Sequence, residues 1–207
     1  MRPPISVVMA VWNGEPYLRA AVDSILHQDF EDFEFIIVDD GSTDNTAAIL
    51  DTYEDPRIVR TKNDAILGLA KSLNRGLDAA RGTYIARQDA DDVSLPYRFT
   101  KQLKFLEKHQ EIGILGTGCR LIDDAGRPGA ISLQPQDDLA IRWQMLFSNA
   151  FFHTSVMVRR SILEKNGLRY DQTIRFSQDF DLWARTIEQA DGANLSDPLV
   201  ELRIHDD

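Results

Sequence analysis

The stretch "ISVVMAVWNGEPYLRAAVDSILHQDFEDFEFIIVDDGSTDNT", residues 5–46, determines the predicted fold. It begins with a continuous apolar run at 5–11, which is typical of a strand buried on both faces of a sheet. Apolar side chains at helical spacing predict a helix at 16–28, and a second apolar run predicts a strand at 34–38. A strand–helix–strand unit of this kind indicates two parallel strands in one sheet.

The same alternation continues through the first ninety residues. Further elements are predicted as a helix at 43–53, a strand at 57–61, a helix at 67–80 and a strand that begins at 83–86. Ser42 or Thr43 is the expected N-cap of the helix at 43–53, and Gly82 is the expected C-cap of the helix at 67–80. The predicted fold class is therefore α/β, with a doubly wound, mostly parallel central sheet and helices on both faces.

The pattern is looser after Pro96. The predicted elements are a helix at 96–109, a strand at 112–122, a turn at 123–128, helices at 137–147, near Ile162 and at 179–189, and strands at 155–158 and 199–204. No repeat or linker divides the chain, so we predict a single domain over 1–207. Because the sequence stops directly after a predicted strand, we also expect the chain to be truncated at its C-terminus.

Composition excludes several classes of protein. The chain has 207 residues and a net charge of −10, which disfavours nucleic-acid binding by phosphate neutralisation. Its single cysteine, Cys119, excludes an internal disulfide or a cysteine-based zinc site. No apolar run approaches the ~18 residues that a membrane helix needs, and the apolar run of about seven residues near the N-terminus is too short for the core of a signal peptide. We therefore expect a cytoplasmic protein without a transmembrane segment.

Polar clusters follow three of the predicted parallel strands: "WNGE", "DDGS" and "DADD". Ligands of such sheets bind at the carboxyl ends of the strands, so we expect the binding site there. The "DADD" cluster contains Asp89, Asp91 and Asp92, and two carboxylates at ~4 Å repel by roughly 4 kcal/mol at an effective dielectric constant of about 20. Mg²⁺ or Mn²⁺ would remove this repulsion and could hold a diphosphate. The alternative is a solvated acidic loop in which Asp92 caps the helix near Pro96.

Three other features each leave two interpretations open. Asp39 and Asp40 could hydrogen-bond a ligand or merely belong to a strand-to-helix turn. Trp12 could stack on a nucleobase or belong to the core. Asp179 could be a general base or only a first-turn acid favoured by the helix dipole. Isolated histidines such as His153 and His205 are more often structural than ligands.

Taken together, the motifs resemble those of the family 2 glycosyltransferases, which have the GT-A fold. Residues 5–46 resemble the opening of that family, and "NRGLDAARGTYIARQDADDVSLPYRF" resembles its Asp-x-Asp segment. "HTSVMVRR", "SQDFDLWAR" and "LRIH" resemble its later landmarks, in the same order along the chain. The resemblance implies a nucleotide-sugar-binding half at 1–118 and an acceptor and catalytic-base half at 119–207.

The resemblance also implies how the donor nucleotide is bound. Trp12 would stack on uracil in a pocket lined by the backbone around Ala10 and Val11. Asp40 would hydrogen-bond the base, with Asp39 beside it.

For the metal and the chemistry, the resemblance implies four residues. Asp89 would lie near the ribose and the metal, Asp91 would ligate Mn²⁺ or Mg²⁺ directly, and His205 would lie near the metal or the diphosphate. Asp179 would be the catalytic base. The sequence departs from the family where Gln178 precedes this aspartate instead of the usual glutamate, and where Trp12 replaces a more usual tyrosine.

The implied activity is an inverting, metal-dependent transfer of a sugar from a nucleotide-diphospho-sugar, most readily a UDP-sugar, to an acceptor hydroxyl in glycan or cell-envelope polysaccharide synthesis. The acceptor would be a glycan, a lipid-linked molecule or another hydroxyl compound, with contact to the inner face of the membrane. Two alternatives remain. A sugar-nucleotide pyrophosphorylase would need a Gly-rich basic loop, whereas "VWNGEP" has one glycine and no lysine. The second alternative is a non-catalytic nucleotide-binding module, such as a receiver-like domain.

Overall fold

A computed structural model of the chain describes residues 2–205, and within that range nine strands form one sheet. The strands are β1 Ile5–Val11, β2 Phe33–Asp39, β3 Ile58–Lys62, β4 Tyr84–Arg87, β5 Val93–Ser94, β6 Ile112–Ile122, β7 Pro128–Ser132, β8 Met157–Arg159 and β9 Asp191–Arg203. The α-helices are α1 Leu18–Leu26, α2 Thr46–Asp51, α3 Leu69–Ala79, α4 Arg98–Lys108, α5 Asp138–Gln144, α6 Arg160–Lys165 and α7 Gln178–Ile187. A short 3₁₀ helix at His153–Ser155 precedes β8.

The strand order is β3-β2-β1-β4-β8-β6-β9-β5, and β7 pairs with β6 outside this path. β1 pairs in parallel with both β2 and β4, so the chain winds outward in two directions from β1. β8 is antiparallel to both of its neighbours, whereas β6 and β9 are parallel to each other. The predicted doubly wound, mostly parallel α/β sheet is confirmed.

Both faces of the sheet are buried, as the continuous apolar runs predict. Every residue of β1 and β2 is buried. On one face the β1 side chains pack with α1, and on the other Val8 packs against α3. The contact with α3 is close, since a Cβ on Gly76 would lie 2.5 Å from a Val8 methyl group.

Two predicted helix caps are wrong. α2 begins at Thr46, because Ser42 and Thr43 instead hydrogen-bond Asn13 of the β1–α1 turn. α3 ends at Ala79 with Ala80 as its C-cap. Gly82 packs directly on β1, where a Cβ would lie 2.5 Å from the backbone nitrogen of Ser6.

The second half of the chain differs most from the prediction. β9 begins at Asp191 rather than near 199, although it contains Gly192 and Pro198, because pairing with β6 through several register shifts outweighs these unfavourable residues. β5 and β7 were not predicted; each is short, and β7 begins with Pro128, which is tolerated at the start of an edge strand. No helix among residues 2–205 is long and apolar enough to cross a membrane.

Candidate active site

The carboxyl ends of β1, β2 and β4 meet at one edge of the sheet, and the turns that follow them are tied together. Asn13 adopts a left-handed conformation with φ of 51°, which ends β1 and turns the chain towards α1. Its backbone N–H donates to the Ser42 hydroxyl at 2.9 Å, and its side-chain oxygen accepts the Thr43 N–H at 2.9 Å. Gly14 N–H donates to the Thr46 hydroxyl at 2.8 Å. These hydrogen bonds hold the backbone that directly follows Trp12 in place.

Trp12 lies at the surface between two cavities, and 55% of its area is exposed. It is therefore not a core aromatic, the structural alternative that the sequence left open. One cavity, of about 170 Å³, is mostly apolar and is lined by Ala10, Val11, Trp12, Asp40, Ile66, Gly68 and Leu69. The other, of about 320 Å³, shares the first three residues and extends to Asp89, Asp91 and His205. An apolar compartment and an acidic one thus adjoin at Trp12.

Asp40 lies in the wall of the apolar cavity, and its carboxylate holds the loop that forms the opposite wall. It accepts the backbone N–H groups of Leu67 and Gly68, each at 2.8 Å, and the side-chain N–H of Asn63 at 2.6 Å. Burial raises the pKa of Asp40, but these hydrogen bonds outweigh burial and hold it below its usual range. Asp40 therefore shapes the cavity before any ligand enters.

Replacing Asp40 by alanine should lower the free energy of unfolding by about 1–3 kcal/mol, because buried donors lose their acceptor. Since folding lowers the pKa of Asp40, its stabilising effect is fully present above its unfolded pKa of about 3.9 and is lost as the pH falls through the folded value. The difference between wild type and Asp40→Ala in urea unfolding should therefore shrink below about pH 4. Asp64→Ala, an exposed change in the same loop, is the control. A difference that stays constant with pH would contradict this assignment.

Asp39 is not part of the same compartment, because neighbouring residues in a strand point to opposite faces. Its carboxylate accepts the Ser42 N–H at 2.9 Å and lies 3.7 Å from Lys62 Nζ. It lines a separate cavity with Leu50, Asp51 and Arg60, outside the compartment that contains Trp12. The structure thus separates Asp39 from the other predicted donor-binding residues.

The three aspartates after β4 have different surroundings. Asp89 pairs with the buried Arg87 and lies 3.7 Å from His153 Nδ1. Burial raises the pKa of Asp89, but the charge and the hydrogen bond of Arg87, together with other nearby positive charges that include Arg98, outweigh burial and keep it below its usual range. Asp91 is about 40% exposed and faces the cavity. Asp92 is buried and accepts the backbone N–H of Arg203 in β9 at 2.8 Å.

The alternative in which Asp92 caps the following helix is wrong. α4 begins after Tyr97 with no side-chain cap, and the contact of Asp92 is with β9. Burial, reinforced by Asp89 and Asp91, raises the pKa of Asp92 to about 8. A carboxyl in such surroundings is favoured in its neutral form.

Two buried arginines lie beneath this acidic loop. Arg87 pairs with Asp89, and Arg98 is fully buried, where Ser94 Oγ accepts its hydrogen bond at 2.8 Å. The carbonyl oxygens of Arg87 and Val156 also accept hydrogen bonds from Arg98, at 2.9 and 3.2 Å. Burial lowers the pKa of Arg98 to about 9, so at neutral pH it retains its charge. Part of the repulsion among the aspartates is thus balanced within the protein.

Asp91 and His205 come together although they are far apart in the sequence. Asp91 Oδ2 and His205 Nε2 are 3.0 Å apart, and this hydrogen bond is the main cause of a raised pKa for His205. Across residues 2–205 no three His, Cys, Asp or Glu side chains converge as a metal cluster. Two protein ligands nevertheless fit Mg²⁺ or Mn²⁺ at a diphosphate site, because such ions are completed by water and substrate phosphate oxygens.

Asp179 lies in the first turn of α7 and is half-buried. Its Oδ2 accepts a hydrogen bond from Asn149 Nδ2 at 2.7 Å. Its charge, like that of Asp89, acts to raise the pKa of His153, although burial and then Arg87 dominate and lower that pKa to about 4. Both carboxylates thus act on the pKa of one histidine. His153 itself is half-buried, and its Nε2 contacts Arg87 Nε at 3.0 Å and Tyr170 Oη at 2.9 Å.

A further cavity, of about 210 Å³, adjoins the apolar compartment, since Gly68 and Leu69 line both. Gln178, which directly precedes Asp179, lies in its wall with Lys71 and Arg175. Sequence reasoning missed Asn149, Tyr17, Asp124 and Arg203 as contributors to the site. Of these, Tyr17 lies in the family-like stretch 5–46 and Arg203 lies two residues before His205 in "LRIH", but neither motif indicated a role for them.

Known proteins resemble this chain in sequence and in fold. The profile of Glycosyl transferase family 2 matches residues 6–167. EpsE of Bacillus subtilis (strain 168), which carries a glycosyltransferase name, is 38% identical over 97% of this chain and 73% of its own length. The O-antigen biosynthesis glycosyltransferase WbnJ of Escherichia coli is 34% identical over 97% of this chain and 80% of its own length.

Among solved structures, S. aureus TarS 1-349 in complex with UDP has a TM-score of 0.83 at 22% identity, covering 99% of this chain and 61% of that one. The mannosyltransferase PcManGT of Pyrobaculum calidifontis, in complex with GDP-Man and Mn²⁺, has a TM-score of 0.73 at 19% identity. The match covers 100% of this chain and 57% of the PcManGT chain. This chain therefore spans less than two thirds of either solved chain. The fold is that of the GT-A glycosyltransferases, as predicted. On the profile match and the identity to EpsE and WbnJ, the chain belongs to glycosyl transferase family 2.

Proposed function

We propose that this chain transfers a sugar, with inversion, from a nucleotide-diphospho-sugar to an acceptor hydroxyl in polysaccharide synthesis, and that the donor is a UDP-sugar. The observation that carries the proposal is the exposed Trp12 ring between an apolar cavity and the Asp91–His205 pair. A nucleoside diphosphate has the same division, with a flat base at one end and an anionic group at the other. The UDP and UDP-GlcNAc complexes of TarS support this donor class.

The base of the donor would enter the apolar cavity. There Trp12 offers an exposed aromatic side chain, and Ala10 and Val11 line the cavity beside it. The loop that Asp40 holds is already in place, so little ordering entropy is lost on binding. Asp40 retains lone pairs for one further donor from the base, because a carboxylate offers about four acceptor sites.

The diphosphate would extend towards Asp91 and His205, with the ribose near Asp89. A divalent cation bound there would supply positive charge to the leaving diphosphate. The Mn²⁺ in the PcManGT complex supports the use of such an ion within this fold. Asp91 and His205 would hold the ion, and Asp89, already paired with Arg87, would act mainly through the ribose.

Asp179 would take the proton of the acceptor hydroxyl as its oxygen attacks the anomeric carbon. One carbon–oxygen bond forms to the acceptor while the bond to the diphosphate breaks, and the nucleoside diphosphate leaves. Asn149 holds the carboxylate of Asp179 by one oxygen, which leaves the other free to accept the proton. A positioned base of this kind typically accelerates a reaction by about 10²–10⁴-fold.

The pyrophosphorylase alternative fits the first turn poorly. A phosphate-cradling loop presents free backbone N–H groups to its ligand. Here the N–H groups of Asn13 and Gly14 already donate to Ser42 and Thr46, and that of Glu15 donates to Asp44. The turn is therefore used to hold two loops together.

Binding of UDP to the protein should depend on Trp12. We expect Trp12→Ala to weaken UDP binding by about 5- to 150-fold, because stacking on an aromatic side chain contributes roughly 1–3 kcal/mol per base. Isothermal titration calorimetry with UDP and Mn²⁺ measures this change. Trp143→Ala is the matched control, because Trp143 is also exposed but lines none of these cavities.

The donor class is tested by a thermal-shift screen of UDP- and GDP-sugars with Mn²⁺ or with chelator. A ligand at ~100 times its Kd adds about 2.7 kcal/mol to stability, which gives a clear shift. If no nucleotide sugar raises the melting temperature, the proposed function is wrong. If only GDP-sugars raise it, the transferase proposal stands and the UDP assignment fails.

A further inference from the structure

The turn between β6 and β7 brings a carboxylate to His205 from outside the cavity. Asp124 Oδ1 lies 2.8 Å from His205 Nδ1, while the other ring nitrogen, Nε2, lies 3.0 Å from Asp91 Oδ2. The imidazole therefore bridges two carboxylates from different parts of the chain. Asp124 lines none of the cavities around Trp12, whereas Asp91 and His205 line the larger one.

This arrangement determines which nitrogen of His205 can bind a metal ion. A neutral imidazole carries one N–H and one lone pair. Without a metal ion both ring nitrogens face a carboxylate oxygen and can donate. A cation that displaces the proton of Nε2 leaves Nδ1–H donating to Asp124, so Nε2 is the nitrogen that would bind the ion beside Asp91. A carboxylate behind a histidine fixes the tautomer and ring orientation of metal ligands in this way.

Other contacts hold Asp124 in place. The Tyr17 hydroxyl donates to Asp124 Oδ1 at 3.0 Å, and Tyr17 is itself in the wall of the larger cavity. The Arg203 guanidinium donates to the backbone oxygens of Asp123 at 2.7 Å and Asp124 at 3.1 Å. It also lies 4.2 Å from the centre of the Tyr17 ring. The β6–β7 turn is thus held to the end of β9 by the contacts of both Arg203 and His205.

We propose that Asp124 is a positioning residue for a divalent-cation site, which holds His205 so that Nε2 faces Asp91. The inference rests on the proposed function, because it assumes that Asp91 and His205 bind a cation together with a nucleoside diphosphate. It adds the turn after β6 to the site.

Asp124→Ala should weaken Mn²⁺ binding in the presence of UDP by about 10–100-fold, the range found when such an outer carboxylate is removed. The free Mn²⁺ signal in electron paramagnetic resonance measures this affinity without any turnover. UDP binding in the absence of metal should not change. Glu107→Ala, which removes one exposed carboxylate from α4, controls for the change in net charge.

A second measurement reports the tautomer of the His205 imidazole. At the Mg²⁺ concentration that just saturates the wild-type UDP complex, the ¹⁵N shifts of His205, assigned by their loss in His205→Asn, should indicate the Nδ1–H tautomer in wild type. In Asp124→Ala they should indicate a mixture of ring forms, because the variant is only partly loaded. Asp124→Asn, which keeps the shape of the side chain but not its charge, replaces the alanine variant if that one does not fold.

Two results would overturn the inference, and they can be told apart. If a folded Asp124 variant binds Mn²⁺ with wild-type affinity and shows an unchanged tautomer, the inference is overturned and the proposed function stands. Failure of the wild-type protein to bind UDP and Mn²⁺ overturns it together with the proposed function.

Discussion

Asp179→Asn should lower kcat for sugar transfer by about 10²–10⁴-fold, which is the usual contribution of a general base. Asparagine keeps the size of the side chain and can retain the contact with Asn149, but it cannot take a proton. The affinity for UDP with Mn²⁺ should stay at the wild-type value, because Asp179 lines neither cavity that Trp12 shares. Release of UDP from a UDP-sugar in the presence of acceptor measures the rate, and calorimetry measures the affinity.

Asp181→Asn is the matched control for this change. Asp181 lies in the same turn of α7, carries the same charge and pairs with Arg185 on the same helix. Its replacement should leave kcat within a few-fold of wild type. Equal activity in wild type and Asp179→Asn would show that Asp179 is not the base. If the wild-type protein itself transfers no sugar, a non-catalytic nucleotide-binding module is favoured.

The position of the site could be predicted from the sequence because it depends on topology. Buried apolar runs alternating with helices specify parallel strands, and the polar clusters after β1, β2 and β4 then share one edge. The separation of Asp39 from Asp40 was also accessible, since adjacent residues of a strand point to opposite faces. The resemblance placed both aspartates at the nucleotide base, whereas the alternating direction of side chains along the strand puts them in different cavities.

The contacts around His205 could not be predicted, because they join distant segments. Tyr17 precedes α1, Asp124 is in the β6–β7 turn and His205 follows β9. Only the pairing of β6 with β9 brings the last two together, and most of β9 had no strand pattern of its own. "DDAGRP" indicated a turn, but nothing in those residues indicated what the turn contacts.

The acidic loop shows a similar limit. Its charge repulsion was evident from the sequence and suggested a cation. The structure adds that Arg87 and Arg98 lie beneath the loop and that Asp92 is buried against β9. A metal ion would therefore be needed chiefly by Asp91 and a bound diphosphate rather than for the folding of the loop.

Asp91→Ala should accordingly leave the protein folded and lower the transfer rate by about 10²–10³-fold, because the leaving diphosphate loses charge stabilisation. The increase in UDP affinity on addition of Mn²⁺ should disappear in this variant, whereas affinity measured with chelator should not change. Asp64→Ala, a charge change on an exposed loop, is the control. Persistence of Mn²⁺-dependent UDP binding in Asp91→Ala would show that the cation is held elsewhere.

A double-mutant cycle tests whether Asp91 and His205 serve the same ion. If both hold it, loss of either one removes most of the metal-dependent UDP affinity, and His205→Ala should add little in a chain that already carries Asp91→Ala. Residues in such contact usually couple by about 0.5–3 kcal/mol, whereas independent sites are additive. The 3.0 Å separation of Asp91 Oδ2 and His205 Nε2 predicts strong coupling. Additive effects on UDP affinity would mean that His205 contacts the diphosphate directly, and the carboxylate of Asp91 would then be the only side chain of this pair that binds the cation.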